Sequence, residues 1–292
     1  MQAGKFRMTK YPRKLIMIST PPFISAIIIV NPNWFSDLKL LPGCLESIKF
    51  VDEIIFIPSE DNAQLNKLAK KYQAKIINQQ GGKFANWRNL GAEKATGKWL
   101  FYIDADERSS EKLNQEILSI ISPPSSDLTL KQKIQAAYAI PRSNKILGKE
   151  FRYGGWWPDY VLRLMQKDKF KKWEGDLHEQ PKINGDIGYL RNHLLHIKFQ
   201  KLENYVTKTV AWSSNEAQLY LKANHPRLTV LRFFRLCIDP FMTSLINRLL
   251  IKKGILDGTK GLIDAIYQSY SLFINYARLW ELQLNNQLKT KN

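Results

Sequence analysis

Two aspartates separated by one small residue follow an apolar run near the middle of the chain. Residues 99–103 are apolar, begin after a Gly-Lys turn signal, and lead into Asp104, Asp106 and Glu107. Such a run is typical of a buried strand in an α/β sheet, and ligands collect at the carboxyl ends of such strands. Because Mg²⁺ commonly takes one or two carboxylates together with substrate phosphates, the pattern predicts a site for a divalent cation and a diphosphate. The alternative is an acidic turn that only solubilises a strand end.

The chain around this run alternates strand and helix patterns. Strands are predicted at residues 23–30, 53–57, 75–77, 136–140 and 160–164, and helices at 38–48, 65–72, 84–95 and 113–121. Short connections between alternating elements predict a parallel sheet with helices on both faces. We therefore expect roughly the first 110 residues to form a doubly wound α/β unit of the nucleotide-binding type.

Composition narrows the class of partner and the compartment. The net charge is +18, from 44 Lys and Arg against 26 Asp and Glu, which attracts nucleic acid, anionic lipid or phosphorylated substrates. Cys44 and Cys237 lie far apart without a CxxC pattern, which argues against a disulfide framework or structural zinc and favours a reducing cytosol. We expect no signal peptide and no spanning helix, since no apolar run reaches roughly 18 residues.

Beyond about residue 200 the pattern becomes helical, with basic residues interleaved among Leu, Ile and Phe over 202–285. Asp239-Pro240 is expected to break this stretch into two helices. Charges this frequent exclude a lipid span but suit an amphipathic helix lying in the interface of an anionic leaflet. The alternative is that these helices pack onto the rest of the protein with a solvated basic face.

A set of ordered motifs carries a family resemblance. The motifs are Gly82–Asn89, Asp104–Glu107, Gly148, Tyr153–Asp159, Glu174–Glu179 and Lys253–Gly258. In this order they resemble the inverting family 2 glycosyltransferases of the GT-A fold, and most of all the lipopolysaccharide-core branch. The resemblance covers about residues 23–285. It implies a GT-A-type α/β fold with a mostly parallel central sheet, followed by a C-terminal helical region.

The resemblance also implies roles at the donor. The implied donor-binding residues are Arg88, Asn89, Asp104, Gly154, Gly155 and Trp156. Asp106 would ligate a divalent cation, Mg²⁺ or Mn²⁺, that neutralises the leaving diphosphate, and His178 would join the metal or the diphosphate. For Arg88 the alternative is a solvated helix charge, and one of Trp156 and Trp157 is expected to be a core residue.

Inverting transfer needs a general base that takes the proton of the acceptor hydroxyl. Glu179 is the first choice because it lines up with a His-Glu pair of the family, and Asp176 and Asp159 are the other candidates. A zinc site built from His178, His193 and His196 is disfavoured, since closed zinc sites need three or four well-placed ligands.

One motif departs from the family. After the second strand the family carries Asp-Ser-Gly-Ser-x-Asp, whereas this chain has Pro58 at the first Asp position and Ala63 at the last. Glu60 or Asp61 could substitute from a shifted loop, or the nucleotide could be held differently. A third alternative is a catalytically impaired family member that acts as a binding or scaffold protein.

These observations predict three segments: a basic flexible lead-in at 1–22, a GT-A glycosyltransferase domain at 23–200, and a basic amphipathic helical region at 201–292. The expected reaction is metal-dependent, inverting transfer of a sugar from a UDP-, GDP- or ADP-sugar to a lipid-linked or cell-envelope saccharide. The expected location is cytoplasmic, peripheral on the inner face of the cytoplasmic membrane, against an anionic surface. No nucleic-acid partner is expected, because neither a helix-turn-helix nor a single-strand groove signature is present.

Overall fold

The computed structural model describes residues 24–32, 35–79, 81–121, 134–175, 179–198 and 200–289. Within these ranges ten strands form one sheet, and two more form a small separate sheet. The strands are β1 Ile24–Val30, β2 Glu53–Pro58, β3 Lys75–Ile76, β4 Trp99–Tyr102, β5 Glu107–Ser109, β6 Ala137–Ile146, β7 Lys149–Glu150, β8 Asp159–Gln166, β9 Phe170–Glu174, β10 Gln180–Ile183, β11 Ile187–Tyr189 and β12 Leu194–Ile197. The expected lead-in, residues 1–22, lies outside this description.

The helices fall into two groups. Four lie within the first half of the chain: α1 Phe35–Ser47, α2 Ala63–Tyr72, α3 Phe84–Lys94 and α4 Glu111–Ile121. Four follow the last strand: α5 Leu202–Lys222, α6 Val230–Phe233, α7 Asp239–Ile246 and α8 Thr259–Lys289. The helical second part expected from the sequence is confirmed.

The main sheet is parallel in one half and mixed in the other. Its order is β3-β2-β1-β4-β8-β6-β12-β5, with β7 and β11 paired to β6. The first four strands are mutually parallel, as predicted. Strand β8 runs antiparallel to both β4 and β6. The short strand β5 was not predicted from the sequence and pairs antiparallel with β12.

Both faces of the parallel half are covered by helices. Ile24, Ala26 and Ile28 of β1 pack in the apolar layer that contains the buried residues of α1, α2 and α4. Ile27, between them, belongs to the opposite layer with Ala92 of α3. Successive strand residues point to opposite faces, so near-continuous apolar strands are what a sheet buried on both sides requires.

Two prolines lie within helical segments rather than ending them. Helix α1 continues through Pro42, which the sequence predicted as an interruption. The expected break at Asp239-Pro240 is wrong: residues 230–251 follow one helical path, with π-helical turns at Phe234–Ile238 and Asn247–Ile251. A π-helical turn re-pairs the backbone around a proline, so the helix can pass the position.

The C-terminal helices pack against each other and against the sheet. Tyr205 of α5 is 2% exposed and shares a core cluster with Ile146, Phe151 and Trp156. A 3₁₀ turn at Gly254–Asp257 precedes α8, as the turn predicted between helices requires. Among the described residues, no helix combines the length and the apolar character needed to cross a bilayer. The three-segment division with a boundary at 200/201 stays a prediction.

Candidate active site

The acidic turn, residues Asp104–Glu107, joins β4 to β5 at the carboxyl end of β4. The backbone N–H of Glu107 donates to the carbonyl oxygen of Asp104 (2.9 Å), and the N–H of Asp104 donates to Glu107 Oε2 (3.0 Å). Glu107 is fully buried. The third acid of the motif therefore shapes the turn, while the two aspartates lie at the sheet edge.

Arg163 of β8 forms hydrogen bonds with two carboxylates of the acidic turn. Its guanidinium is 5% exposed; Nη2 donates to Asp104 Oδ2 and to Glu107 Oε1, the latter at 2.7 Å. Burial alone would raise the pKa of Asp104, but the Arg163 and Arg88 guanidiniums outweigh it and hold that pKa well below its usual range. Asp104 is therefore a carboxylate at any pH near neutrality.

A second arginine extends the network to Asp159. Arg142 of β6 donates through Nε (3.0 Å) and Nη2 (2.7 Å) to Asp159 Oδ2, and its Nη1 lies 3.4 Å from Glu107 Oε1. Asn144, two residues along β6, donates to the same Asp159 oxygen at 3.1 Å. The side chain of Asp159 keeps 27% exposure. This candidate base lies in the same cluster as the acidic turn, with its carboxylate held by three donors.

His196 of β12 connects this network to Asp106. Its Nδ1 lies 2.7 Å from Asn144 Oδ1, and its Nε2 lies 3.4 Å from Asp106 Oδ2. Within the described residues no three His, Cys, Asp or Glu side chains are arranged to hold a metal ion. His193 instead packs edge-on against Trp157, with ring centroids 5.9 Å apart. His196 thus lies between Asn144 and Asp106.

Arg88 of α3 reaches the site from the other side. Its Nη1 donates to Glu179 Oε2 (3.1 Å), its Nη2 lies 3.8 Å from Asp104 Oδ1, and its guanidinium stacks 4.7 Å from the Trp173 ring centroid. The side chain is only 14% exposed. The alternative of a solvated helix charge is therefore wrong, and Arg88 brings Glu179 and Asp104 to one place.

Asn89 is engaged with the protein backbone. Its Nδ2 donates to the carbonyl of Trp173 (3.0 Å), and its Oδ1 accepts from the N–H of the same residue (2.7 Å). This pair of bonds joins α3 to β9 and so positions Arg88 beside it. The expected contact of Asn89 with a donor stays a prediction, and the structure gives the side chain a positioning role.

The Gly-Gly-Trp loop contacts the C-terminal region. Gly154 and Gly155 adopt φ values of 66° and 86°, which favour glycine. A Cβ on Gly155 would lie 2.9 Å from the Lys252 side chain, and the N–H of Gly154 donates to the Lys252 carbonyl (2.8 Å). In this structure the glycines allow close approach of the turn before α8; their expected approach to a donor sugar stays a prediction.

Trp156 is the buried member of the tryptophan pair, at 9% exposure. Its Nε1 donates to Asp264 of α8 (2.6 Å), and its ring lies 4.3 Å from Lys198 Nζ and 5.9 Å from Arg248 Cζ. The expectation that one of the two tryptophans is a core residue is confirmed, and that residue is Trp156. Its role as a sugar platform stays a prediction.

The residues present fit one divalent cation at the sheet edge. Asp106 keeps a side-chain exposure of 28% and faces His196, whereas Asp104 is paired with arginines. A single protein carboxylate completed by substrate phosphates and water is a usual Mg²⁺ arrangement. Asp176 and His178 lie outside the described residues, so their predicted roles have no structural account here.

The side chains of the loop that departs from the family motif form contacts at the start of helix α2. Pro58 ends β2 in a buried position, and Asn62 caps α2 by accepting from the N–H groups of Gln64 and Leu65. Asp61 accepts from the side chain of Asn66, in the first turn of the same helix (2.9 Å). The predicted substitution of a base-contacting Asp by Asp61 therefore competes with a capping contact.

Sequence reasoning did not single out Arg163, Arg142 or Asn144, and it considered His196 only for a zinc site, not as a neighbour of Asp106. A signal existed for Arg163, because a guanidinium in the apolar strand Val161–Met165 requires a buried acidic partner. No local pattern identifies the other three, since their partners lie on separate strands brought together by the sheet order.

Comparison with known proteins shows which family and which relatives this chain resembles. Residues 27–168 match the family described as Glycosyl transferase family 2. An uncharacterized glycosyltransferase of Rickettsia felis is 24% identical over 280 residues, covering 92% of each chain. The lipopolysaccharide core biosynthesis glycosyltransferase LpsC of Rhizobium meliloti is 23% identical over 278 residues, covering 91% of this chain and 94% of that one.

Among solved structures, the mannosyltransferase PcManGT from Pyrobaculum calidifontis, in complex with GDP-Man and Mn²⁺, superposes with a TM-score of 0.51. It is 10% identical and covers 89% of this chain and 88% of that chain. The predicted fold, a GT-A-type sheet followed by helices, is confirmed.

Proposed function

We propose that this chain, whose residues 27–168 match Glycosyl transferase family 2, is a glycosyltransferase that catalyses metal-dependent, inverting transfer from a nucleotide sugar. One observation carries the proposal: a partly exposed aspartate, Asp106, stands beside an arginine-held aspartate at the carboxyl edge of a parallel sheet. Such an edge is where nucleotides bind in open α/β sheets. The bound GDP-Man and Mn²⁺ of PcManGT support this choice of donor class and metal.

Asp106 would hold the divalent cation, Mg²⁺ or Mn²⁺, and His196 would keep its carboxylate oriented. The cation would neutralise the charge that develops on the leaving diphosphate. Arg88 and Arg163 fix Asp104 as an anion facing the ribose or diphosphate side of the donor.

The acceptor hydroxyl needs a base, and Glu179 remains our choice for it. Its carboxylate is 12% exposed and held by Arg88, which itself lies beside Asp104. Asp159 is the second candidate, with Asp176 as the third.

A lipid-linked or cell-envelope saccharide is the proposed acceptor, and the cytoplasmic face of the membrane the proposed location. Similarity to LpsC supports the lipopolysaccharide-core branch. The surface of the helical segment supports docking to an anionic leaflet, because apolar side chains lie exposed among Arg and Lys. The most exposed are Val230, Leu231, Phe234, Leu250, Ile251, Ile255 and Leu256.

A second candidate is a binding or scaffold protein with a lost nucleotide site. It is favoured by one observation, that Asn62 and Asp61 in the departing loop are used to begin α2. The acidic turn and its arginine network favour the enzyme instead.

Donor hydrolysis separates the two candidates. We expect the purified chain to hydrolyse a UDP- or GDP-sugar in the presence of Mn²⁺ or Mg²⁺, and Asp106→Ala to reduce the rate about 100-fold or more, since charge stabilisation at the leaving group is lost. Asp168→Ala, at an exposed acid paired with Lys169, is the matched control and should retain the wild-type rate.

Equal rates for wild type and Asp106→Ala would refute the metal assignment. Absence of hydrolysis with every donor, together with nucleotide binding unaffected by the metal, would favour the scaffold.

A further inference from the structure

A cavity of about 290 Å³ separates α5 from α8 where these helices meet the end of β12. One wall is a stripe of α5 that includes Lys208, Trp212 and Ser213, and the other is a stripe of α8 that includes Ser271 and Asn275. The residues of each stripe are three or four positions apart, so each helix presents one continuous face to the cavity. Lys198, just after β12, closes the end nearest the acidic turn.

The interface between α5 and α8, called the seam here, changes from apolar to polar along its length. Away from the sheet it is apolar and filled, with Ala217 and Leu279 fully buried and Leu228 at 4% exposure. At the cavity the facing side chains are hydroxyl, amide, ammonium and aromatic groups. Helix pairs normally fill such a seam with apolar side chains, whereas ligand clefts between helices combine aromatic walls with a few polar groups. The cavity therefore has the composition of a binding cleft.

A short chain of contacts connects the cavity to the candidate active site. Lys198 Nζ lies 4.3 Å from the Trp156 ring centroid. The Trp156 carbonyl accepts from Asn144 Nδ2 (3.3 Å), and the same nitrogen donates to Asp159 (3.1 Å). Lys198, in the wall of the cavity, is thus connected to Asp159 through Trp156 and Asn144.

The end of the cavity near the site is cationic. Burial lowers the pKa of Lys198 to about 8, with Lys208 and Arg142 adding repulsion and Asp159 and Asp264 opposing it. Repulsion among crowded cations is relieved by a bound anion. Glu216, which also lines the cavity, hydrogen-bonds Tyr220.

We propose that this cavity is the acceptor subsite and that it takes a saccharide bearing a phosphate or carboxylate group. Lys198 and Lys208 hold the anion, and the half-exposed Trp212, whose ring centroid lies 5.7 Å from Lys208 Nζ, lines the wall beside the sugar ring. The inference rests on the proposed transferase function and narrows its acceptor to an anionic sugar. It assigns recognition of the acceptor to the junction between the sheet and the C-terminal helices.

Direct binding tests this without any catalysis. Glucose 6-phosphate, glucuronate and glucose are titrated into the full-length protein by saturation-transfer NMR, with UDP, GDP and diamagnetic Mg²⁺ present to fill the donor site. We expect at least one anionic sugar to bind about tenfold more tightly than glucose, the value of one charge-assisted hydrogen bond. Comparing the phosphate with the carboxylate identifies which anion the cavity prefers.

Variants locate the binding. Lys208→Gln should remove the tenfold preference, and Trp212→Ala should weaken all three sugars. Lys222→Gln, on an exposed position of the last turn of α5, is the matched control and should behave as wild type. Circular dichroism of each variant shows that the helices are intact.

Equal affinity for glucose and both anionic sugars would overturn the proposal, as would a preference that survives in Lys208→Gln. Because these titrations need no turnover, they fail independently of the donor-hydrolysis test. If the protein hydrolyses the donor but does not prefer anionic sugars, only the acceptor proposal is refuted. If it prefers anionic sugars but hydrolyses no donor, only the transferase proposal is refuted.

Discussion

Asp104 and Glu107 share one buried guanidinium, that of Arg163, and this sharing explains how three acids fit in four residues. Each carboxylate accepts from Arg163, and Glu107 also accepts from the backbone at Asp104. Removing one partner of a buried charge network is far costlier than the network is stabilising, because uncompensated charge is left behind. Asp106 instead lies beside His196 and keeps a side-chain exposure of 28%.

Arg163→Met should reduce the free energy of unfolding by about 3–5 kcal/mol at pH 7. The depressed pKa of Asp104 stabilises the native state above the unfolded Asp pKa of about 4, and this stabilisation is lost as the pH falls below that value. The difference between wild type and variant should therefore shrink on acidification from pH 7 toward pH 3. Urea unfolding at several pH values measures it.

Arg163→Lys keeps the charge but loses the fork that reaches two carboxylates, so a smaller loss is expected. A constant difference between wild type and Arg163→Met at all pH values would show that lost packing dominates and that the charge sharing is unimportant.

At the level of elements, the join between the sheet and the C-terminal helices is built on glycines. Gly254 stands against the Cα of Gly154, and a Cβ on Gly261, in the first turn of α8, would lie 2.1 Å from the carbonyl oxygen of Gly254. Asp257 accepts from the N–H groups of Arg152 and Tyr153 (3.2 and 3.0 Å). The turn before α8 therefore determines where the Gly-Gly-Trp loop lies.

Gly261→Ala tests this join. In an ordinary helix the change stabilises by roughly 0.5–1 kcal/mol, but here the methyl group meets a backbone oxygen, so a loss of about 1–3 kcal/mol is expected. Thermal unfolding should show a lower Tm, and the donor-hydrolysis rate should fall as the loop shifts.

Gly148→Ala is the comparison, because it has φ +79° and no atom within 4 Å of the added Cβ, so it reports backbone strain without a clash. A higher Tm for Gly261→Ala than for wild type would mean that α8 does not depend on close contact with the turn.

On the scale of the whole molecule, the proposed docking to an anionic membrane would use both the positive charge and the exposed apolar side chains of the C-terminal half. Val230 and Leu231 are 90% and 79% exposed, next to Arg227 and Arg232. Apolar side chains that enter the interface and basic ones that face anionic headgroups act together in such binding.

Vesicle flotation tests membrane docking with the intact chain. We expect binding to vesicles containing phosphatidylglycerol and none to neutral vesicles, with binding falling as salt rises and screening increases. The double substitution Val230→Ser and Leu231→Ser should weaken binding at least about tenfold, the transfer cost of two apolar side chains.

Ile187→Ser, at a half-exposed apolar residue of β11, is the control and should float as wild type does. Equal flotation of the double variant and wild type would remove this surface from the docking proposal.

Much of the first half of the fold was predictable because its information is local. The strand–helix alternation, the buried strand before Asp104 and the helix that carries Arg88 follow from apolar runs and turn residues a few positions apart. The parallel pairing of β1, β2 and β4 follows from short crossovers. The breaks assigned to Pro42 and to Asp239-Pro240 were wrong, because packing and π-helical turns accommodate a proline that local propensity alone rejects.

The sequence by itself determined the α/β class, the acidic strand end and the order of the family motifs, since each is written in neighbouring residues. Only the tertiary structure decided which side chains contact these motifs. Arg163 pairs with Asp104, His196 lies beside Asp106, and Trp156 is buried against α8. The cavity between α5 and α8 is likewise a product of packing. The physical reason is the same in each case. A buried charge pair or a cavity is formed by residues far apart in the chain, and only the sheet order and the packing of the helices bring those residues into contact.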